Sequence, residues 1–93
     1  MRRALERAAA SDVLIVAATG NHGANQVAFP ASVPDIVAVG STHQSRVTAY
    51  SNRGAGVDLV APGGVDDEAN AGISADTIAL GDPTRFVTQR LSG

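Results

Sequence analysis

The fold is decided by residues 13–23, which read VLIVAATGNHG. The first six of them are continuously apolar and rich in β-branched side chains, a composition typical of a strand that is buried on both faces of a parallel sheet. The apolar run stops at Thr19, and two glycines then flank an asparagine and a histidine. Residues 13–18 therefore predict a parallel strand, and residues 19–23 predict the loop at its carboxyl end.

The first two thirds of the chain predict an incomplete α/β layer. DIVAVG at 35–40 and VDLVAPGG at 57–64 are two further apolar runs that predict buried strands. Residues 2–10 predict one end of a helix, and residues 19–35 predict a loop because two prolines and two glycines interrupt them. A parallel sheet needs helices on both of its faces. Since only one helix is predicted, we expect the 93 residues to be a fragment of one larger α/β domain.

The last third predicts a different arrangement. A turn at 54–56 leads into the third strand, and residues 65–76 predict a solvated loop because they are acidic and show little periodicity. Residues 77–80 and 85–91 have strand composition and flank Gly-Asp-Pro at 81–83. Two such runs around a turn predict a C-terminal hairpin.

Composition excludes several classes of function. The chain has 7 basic and 9 acidic residues and a net charge of −2, so no basic surface is expected to bind nucleic acid. It has no cysteine, which excludes disulfides and thiolate metal sites. No apolar run approaches the roughly 20 residues that span a bilayer. Charged residues interrupt the N-terminal stretch, and the apolar run at 13–18 is too short for a signal peptide, so none is expected within the chain.

Asn21 allows two interpretations. Ligands of open parallel sheets bind beyond the carboxyl ends of the strands, and the 19–23 loop leaves its strand at such an end. An asparagine there can offer a neutral N–H donor to a developing oxyanion. Asparagine and glycine are also ordinary turn residues, because both tolerate left-handed backbone conformations. These five residues alone do not decide between a donor and a structural turn.

The wider sequence resembles the subtilisin-like serine proteases. The resemblance rests on four segments in order: VLIVAATGNHG at 13–23, FPASVPDIVAVGST at 29–42, VTAYSNRGAGVDLVAPGG at 47–64 and the terminal LSG. It covers nearly the whole chain and is weakest at 65–90. It implies a partial three-layer subtilisin-like fold with a mainly parallel sheet. It also implies a serine endopeptidase that hydrolyses peptide bonds through an acyl-enzyme.

The resemblance also assigns roles to individual residues. Asn21 is similar to the oxyanion-hole asparagine of the family. Ala18, Thr19 and Gly20 match one wall of the pocket that receives the substrate side chain. Ala28 matches a small residue, often glycine, at the floor of that pocket, where a methyl group would make the pocket shallower.

Three further positions carry implications of the same kind. The Phe29-Pro30 bond matches a position that is often cis in the family. Tyr50 and Leu91 match positions on the leaving-group side of the cleft.

The catalytic Asp, His and Ser of the family do not match any residue of the chain. The family's Asp and His motifs precede the matched region, and Gly93 matches the glycine before Thr-Ser-Met, whose serine is the nucleophile. The resemblance therefore implies a chain that is inactive alone and whose partners are the remainder of the catalytic domain and a peptide or protein substrate. The alternative is a catalytically inactive subtilisin-like module with a binding or structural role. Family members are mostly secreted, which implies an extracellular location.

No cofactor is expected for the chemistry, and metal binding stays open. The acidic residues at 66–68 have oxygen ligands suited to a structural calcium ion, but such a run is also typical of a solvated loop. His22 and His43 are far apart in a chain without cysteine, which is weak evidence for zinc. A nucleotide site is not predicted, since neither a G-x-G-x-x-G nor a P-loop pattern is present.

Overall fold

The computed structural model of the chain describes residues 1–65, 72–79 and 81–93. Within these residues the chain forms one helix followed by six strands. They are α1 (Arg2–Ala10), β1 (Ile15–Ala18), β2 (Ile36–His43), β3 (Arg46–Val47), β4 (Leu59–Pro62), β5 (Ile73–Ala79) and β6 (Asp82–Leu91). The predicted helix, the three predicted strands and the C-terminal hairpin are all present, and the α/β class is confirmed.

Strand β2 is the centre of a mainly parallel sheet. Strand β1 pairs parallel with its first half, from Ile15 opposite Ile36 onwards. Strand β4 pairs parallel with its second half and lies on the other side, because Val39 is paired with residues of both β1 and β4. The short β3 runs antiparallel to the end of β2. The loops that follow β1 and β4 therefore leave the sheet at the same edge.

The strand boundaries differ from the prediction where pairing begins or ends. The predicted strand at 13–18 begins only at Ile15, because its partner β2 begins at Ile36, directly after Asp35 with a φ of 68°. Strand β2 continues past residue 40 to His43, since β3 and β4 pair with its polar end. His43 is thus the last residue of this strand.

The predicted strand at 57–64 is shorter than expected and spans Leu59–Pro62. The N–H of Val57 donates to the carbonyl of Gly54 at 3.2 Å and closes the turn predicted at 54–56. Asp58 precedes β4 and binds the sheet through its side chain: its carboxylate accepts the N–H of Ala38 at 2.8 Å.

The hairpin is longer than its sequence indicates. Strand β5 begins at Ile73, so the prediction of a loop at 65–76 was wrong for its last four residues. Asp82 and Pro83 belong to β6 rather than to the turn, and Gly81 takes a φ of 80° there. A cross-strand pair supports the extension, since the Thr88 hydroxyl donates to the Asp76 carboxylate at 2.7 Å. Residues 66–71 and Leu80 lie outside the described part of the chain.

The apolar core is small. Its buried members among the described residues are Ala31, Val33, Ile36 and Ala38. Val16 of β1 and Leu59 of β4 are 58% and 59% exposed. Among the described residues, no second helical layer covers the face of the sheet that carries these side chains. The prediction of buried strands was therefore wrong for this face of β1 and for β4, whose four residues are all exposed.

Candidate functional site

The loop at residues 19–24 leaves β1 in a conformation that depends on glycine. The N–H of Thr19 still donates to Val39 of β2 at 3.0 Å, so the loop starts in register with the sheet. Gly20 then takes a φ of 109° and Gly23 a φ of 62°. Side chains with a β-carbon rarely adopt such values, which accounts for the two glycines in the sequence.

Asn52 holds this loop from the other side. The residue is 3% exposed. Its Oδ1 accepts the backbone N–H of His22 at 3.0 Å and that of Ala24 at 3.1 Å. Its own N–H donates to the carbonyl of Gly20 at 2.8 Å, and its carbonyl accepts the hydroxyl of buried Thr19 at 3.0 Å. The residues next to Asn52 give no indication of this function in the sequence, because YSNRG is only part of the segment at 47–64 that resembles the family.

Asn21 lies where the loop meets a cavity of about 220 Å³. The cavity is lined by the predicted wall residues Ala18, Thr19 and Gly20 together with Asn21 itself, and on its other sides by residues of β2 and β4. Gly93 also lines it, and a methyl group added to Gly93 would lie 3.4 Å from the Asn21 Nδ2 atom. The fold therefore brings the last residue of the chain to the amide of an exposed asparagine in the first third.

Ala28 lies behind this wall. Its N–H donates to the Thr19 carbonyl at 2.9 Å, and its Cβ is 3.1 Å from the position that a Cβ of Gly20 would take. It is not among the described residues that line the cavity. Its predicted place at a pocket floor stays a prediction. The neighbouring Phe29-Pro30 bond is cis, as the resemblance implies.

A second set of contacts fixes Gly93. The Tyr50 hydroxyl donates to the Gly64 carbonyl at 2.7 Å and lies 2.6 Å from the Ser41 hydroxyl, which is then the donor of that pair. The carbonyl of Gly63 accepts the N–H of Gly93 at 3.1 Å. Half-buried Tyr50 thus holds the glycine pair after β4, and this pair holds the end of the chain beside the cavity.

The described residues give no metal site. Among residues 1–65, 72–79 and 81–93, no three His, Asp or Glu side chains lie close enough together to hold an ion. The acidic residues at 66–68, predicted as possible calcium ligands, lie outside the described residues. No helix in the described ranges is long and apolar enough to cross a membrane.

Comparison with known proteins gives the family. A profile of the subtilase family, the S8 peptidases, matches residues 1–93. The chain belongs to the subtilase family. Alkaline elastase YaB of Bacillus sp. (strain YaB) is 52% identical to this subtilase over 64 residues, which are 68% of the chain and 17% of the relative. Subtilisin BL of Lederbergia lenta is 44% identical over 64 residues, which are 68% of the chain and 24% of the relative.

Solved structures agree with this family. A protease from Pseudoalteromonas arctica PAMC 21717 matches the subtilase chain with a TM-score of 0.87 and 26% identity, over 99% of this chain and 29% of the other. The chain therefore spans less than a third of the length of these relatives. Its relatives are subtilisin-like serine proteases. The loop around Asn21 and the cavity beside it belong to the part of the subtilisin-like fold that this chain covers.

Proposed function

We propose that residues 1–93 form part of the catalytic domain of a serine endopeptidase, with Asn21 as the oxyanion donor. The observation that carries the proposal is the approach of Gly93 to the Asn21 amide, 3.4 Å from a methyl group built on the glycine. In the family, the matching glycine stands two residues before the nucleophilic serine. The motif that contains the nucleophile would then begin beside the Asn21 amide, an exposed side-chain donor of the 19–24 loop.

The proposed reaction is acyl transfer to serine and then to water. The serine hydroxyl attacks the peptide carbonyl carbon and passes its proton to histidine, which an aspartate orients. The carbonyl oxygen becomes an oxyanion, which accepts hydrogen bonds from Asn21 Nδ2 and from the N–H of the nucleophile. The amine leaves with the proton of the histidine, and water then hydrolyses the acyl-enzyme. Asp, His and Ser are supplied by parts of the protein other than residues 1–93.

The substrate side chain would lie along the backbone of Ala18, Thr19 and Gly20. These residues line the cavity, as a pocket wall must. Ala28 packs behind this wall and would limit the depth of the pocket, which favours small side chains. The proposed partners are a peptide or protein substrate and the remainder of the domain, and the proposed location is extracellular. The acyl transfer itself requires no cofactor, and any calcium ion would be structural.

The test is to sequence the DNA on both sides of this reading frame and to express the complete gene product. We expect Thr-Ser-Met after Gly93 and Asp and His motifs upstream. The complete protein should cleave a chromogenic peptide and take up one equivalent of a serine-directed phosphonate, whereas residues 1–93 alone should do neither. Labelling of residues 1–93 alone would contradict the assignment of the nucleophile. A complete protein that is neither active nor labelled would favour the alternative, a non-catalytic subtilisin-like module.

A further inference from the structure

We infer that Asn52 is the positioning residue of the oxyanion donor: it holds the backbone on both sides of Asn21 so that the Asn21 amide points into the cavity. The inference deepens the proposed function and rests on it. In this inference the buried Asn52, which itself touches no substrate, controls the geometry of the exposed Asn21.

The two peptide groups that border Asn21 are both bound to Asn52. The preceding peptide group contributes the Gly20 carbonyl, which accepts the Asn52 N–H at 2.8 Å. The following one contributes the His22 N–H, which donates to Asn52 Oδ1 at 3.0 Å. The φ and ψ rotations of Asn21 take place between these two groups. Fixing both groups therefore fixes the direction in which the Asn21 side chain leaves the backbone.

The chemistry of this position requires an acceptor of defined shape. Oδ1 accepts a second N–H, that of Ala24 at 3.1 Å, so one oxygen atom satisfies two backbone donors of the loop. The Nδ2 atom of the same side chain lies 2.5 Å from the position of a Cβ on Gly20, which leaves no room for a larger residue there. An isosteric apolar side chain at position 52 would fill the same space and leave both N–H groups without an acceptor.

Rigid placement matters for catalysis because an oxyanion donor acts only at hydrogen-bond distance from the transition state. A misplacement of about 1 Å typically lowers the rate on the order of 100-fold. Substrate binding in the ground state uses the backbone wall of residues 18–20 and not this donor. A change at position 52 should therefore lower kcat much more than it raises KM.

The first experiment compares variants of the complete gene product. Asn52→Leu keeps the size of the side chain and removes its acceptor, whereas Asn52→Asp keeps an acceptor oxygen. Asn25→Leu is the matched control, since Asn25 is an exposed asparagine directly after the 19–24 loop. We expect Asn52→Leu to lower kcat roughly 10- to 100-fold with KM within about threefold, Asn52→Asp to recover at least part of kcat, and Asn25→Leu to stay close to wild type.

A double-mutant cycle then separates positioning from general stability. If Asn52 acts through Asn21, Asn52→Leu should cost less than about threefold in kcat once Asn21 is already alanine, because the positioned donor is gone. A loss that multiplies fully with that of Asn21→Ala would contradict the inference. Equal losses of kcat for Asn52→Leu and Asn25→Leu would contradict it as well.

A readout without activity keeps the inference separate from the proposed function. Hydrogen exchange of the His22 and Ala24 amides should accelerate in Asn52→Leu and stay slow in Asn52→Asp and Asn25→Leu. If the wild-type protein neither cleaves peptide nor takes up phosphonate, the proposed function fails while exchange still tests the hold on the loop. If Asn52→Leu does not fold, Asn52→Asp decides: loss of protection at both amides in a folded protein would overturn the inference.

Discussion

Gly20→Ala tests the packing between the 19–24 loop and Asn52. Gly20 has a φ of 109°, and an added Cβ would lie 2.5 Å from Asn52 Nδ2 and 3.1 Å from Ala28 Cβ. Asn52 cannot move away without cost, because its Oδ1 satisfies the N–H groups of two loop residues. We expect the positive φ to cost about 1–2 kcal/mol of unfolding free energy and the steric conflict about 1–3 kcal/mol more.

Gly81→Ala supplies the matched control, since Gly81 has a φ of 80° and a Cβ there would meet nothing within 4 Å. It should show the backbone cost alone. The assay is denaturant unfolding of the complete gene product, inactivated with phosphonate if it proves to be a protease, so that self-digestion does not interfere. Gly20→Ala should be less stable than Gly81→Ala by about 1–3 kcal/mol. Equal stability of the two variants would refute the tight contact between Gly20 and Asn52.

Three further predictions concern other parts of the chain. Tyr50→Phe leaves the carbonyl of Gly64 without its hydrogen-bond donor. It should lower the unfolding free energy by about 1–3 kcal/mol in the same denaturant assay. A change below about 0.5 kcal/mol would show that water replaces the hydroxyl. Ala28→Gly removes a methyl group behind the pocket wall. The ratio of kcat/KM for a peptide with a large side chain to that for a peptide with a small one should rise by roughly 10-fold or more, measured with paired chromogenic peptides. An unchanged ratio would place Ala28 outside the pocket. The hydroxyl and N–H of Thr84 hold the pKa of Asp82 below its ordinary value. The ionised carboxylate therefore stabilises the folded hairpin at pH values above the ordinary pKa, and this stabilisation is lost as the pH falls through the lowered pKa of the folded state. Carboxyl titration by NMR should show a higher pKa for Asp82 in Thr84→Val, and an equal pKa in both proteins would contradict the assigned cause.

The sequence predicts the elements that local composition specifies. The apolar runs at 13–18 and 35–40 identify two strands of a parallel sheet, and the glycines at 20 and 23 identify the loop after the first. The ends of these strands depend on their partners instead. Val13 and Leu14 have strand composition, yet the neighbouring strand starts too late to pair with them. Residues 41–43 are polar, yet they continue β2 because β3 and β4 both bind there.

The candidate site is predictable only in part for a similar reason. Asn21 stands out because its local sequence ends an apolar run with polar residues between two glycines. Asn52 is 30 residues away from the loop amide that it binds, and its own neighbours indicate only a turn. Tyr50 also acts at a distance, since its hydroxyl reaches Ser41 and Gly64. Contacts of this kind follow from the sheet topology, which short-range patterns do not contain.

The central claim is that Asn21 stabilises an oxyanion, and the rate of Asn21→Ala tests it most directly. In the complete gene product, kcat for a chromogenic peptide should fall about 100- to 1000-fold, because one preorganised donor is lost from the transition state. KM should change little, since the residues at 18–20 still line the pocket. A kcat within about threefold of wild type would contradict the claim and leave Asn21 as a turn residue.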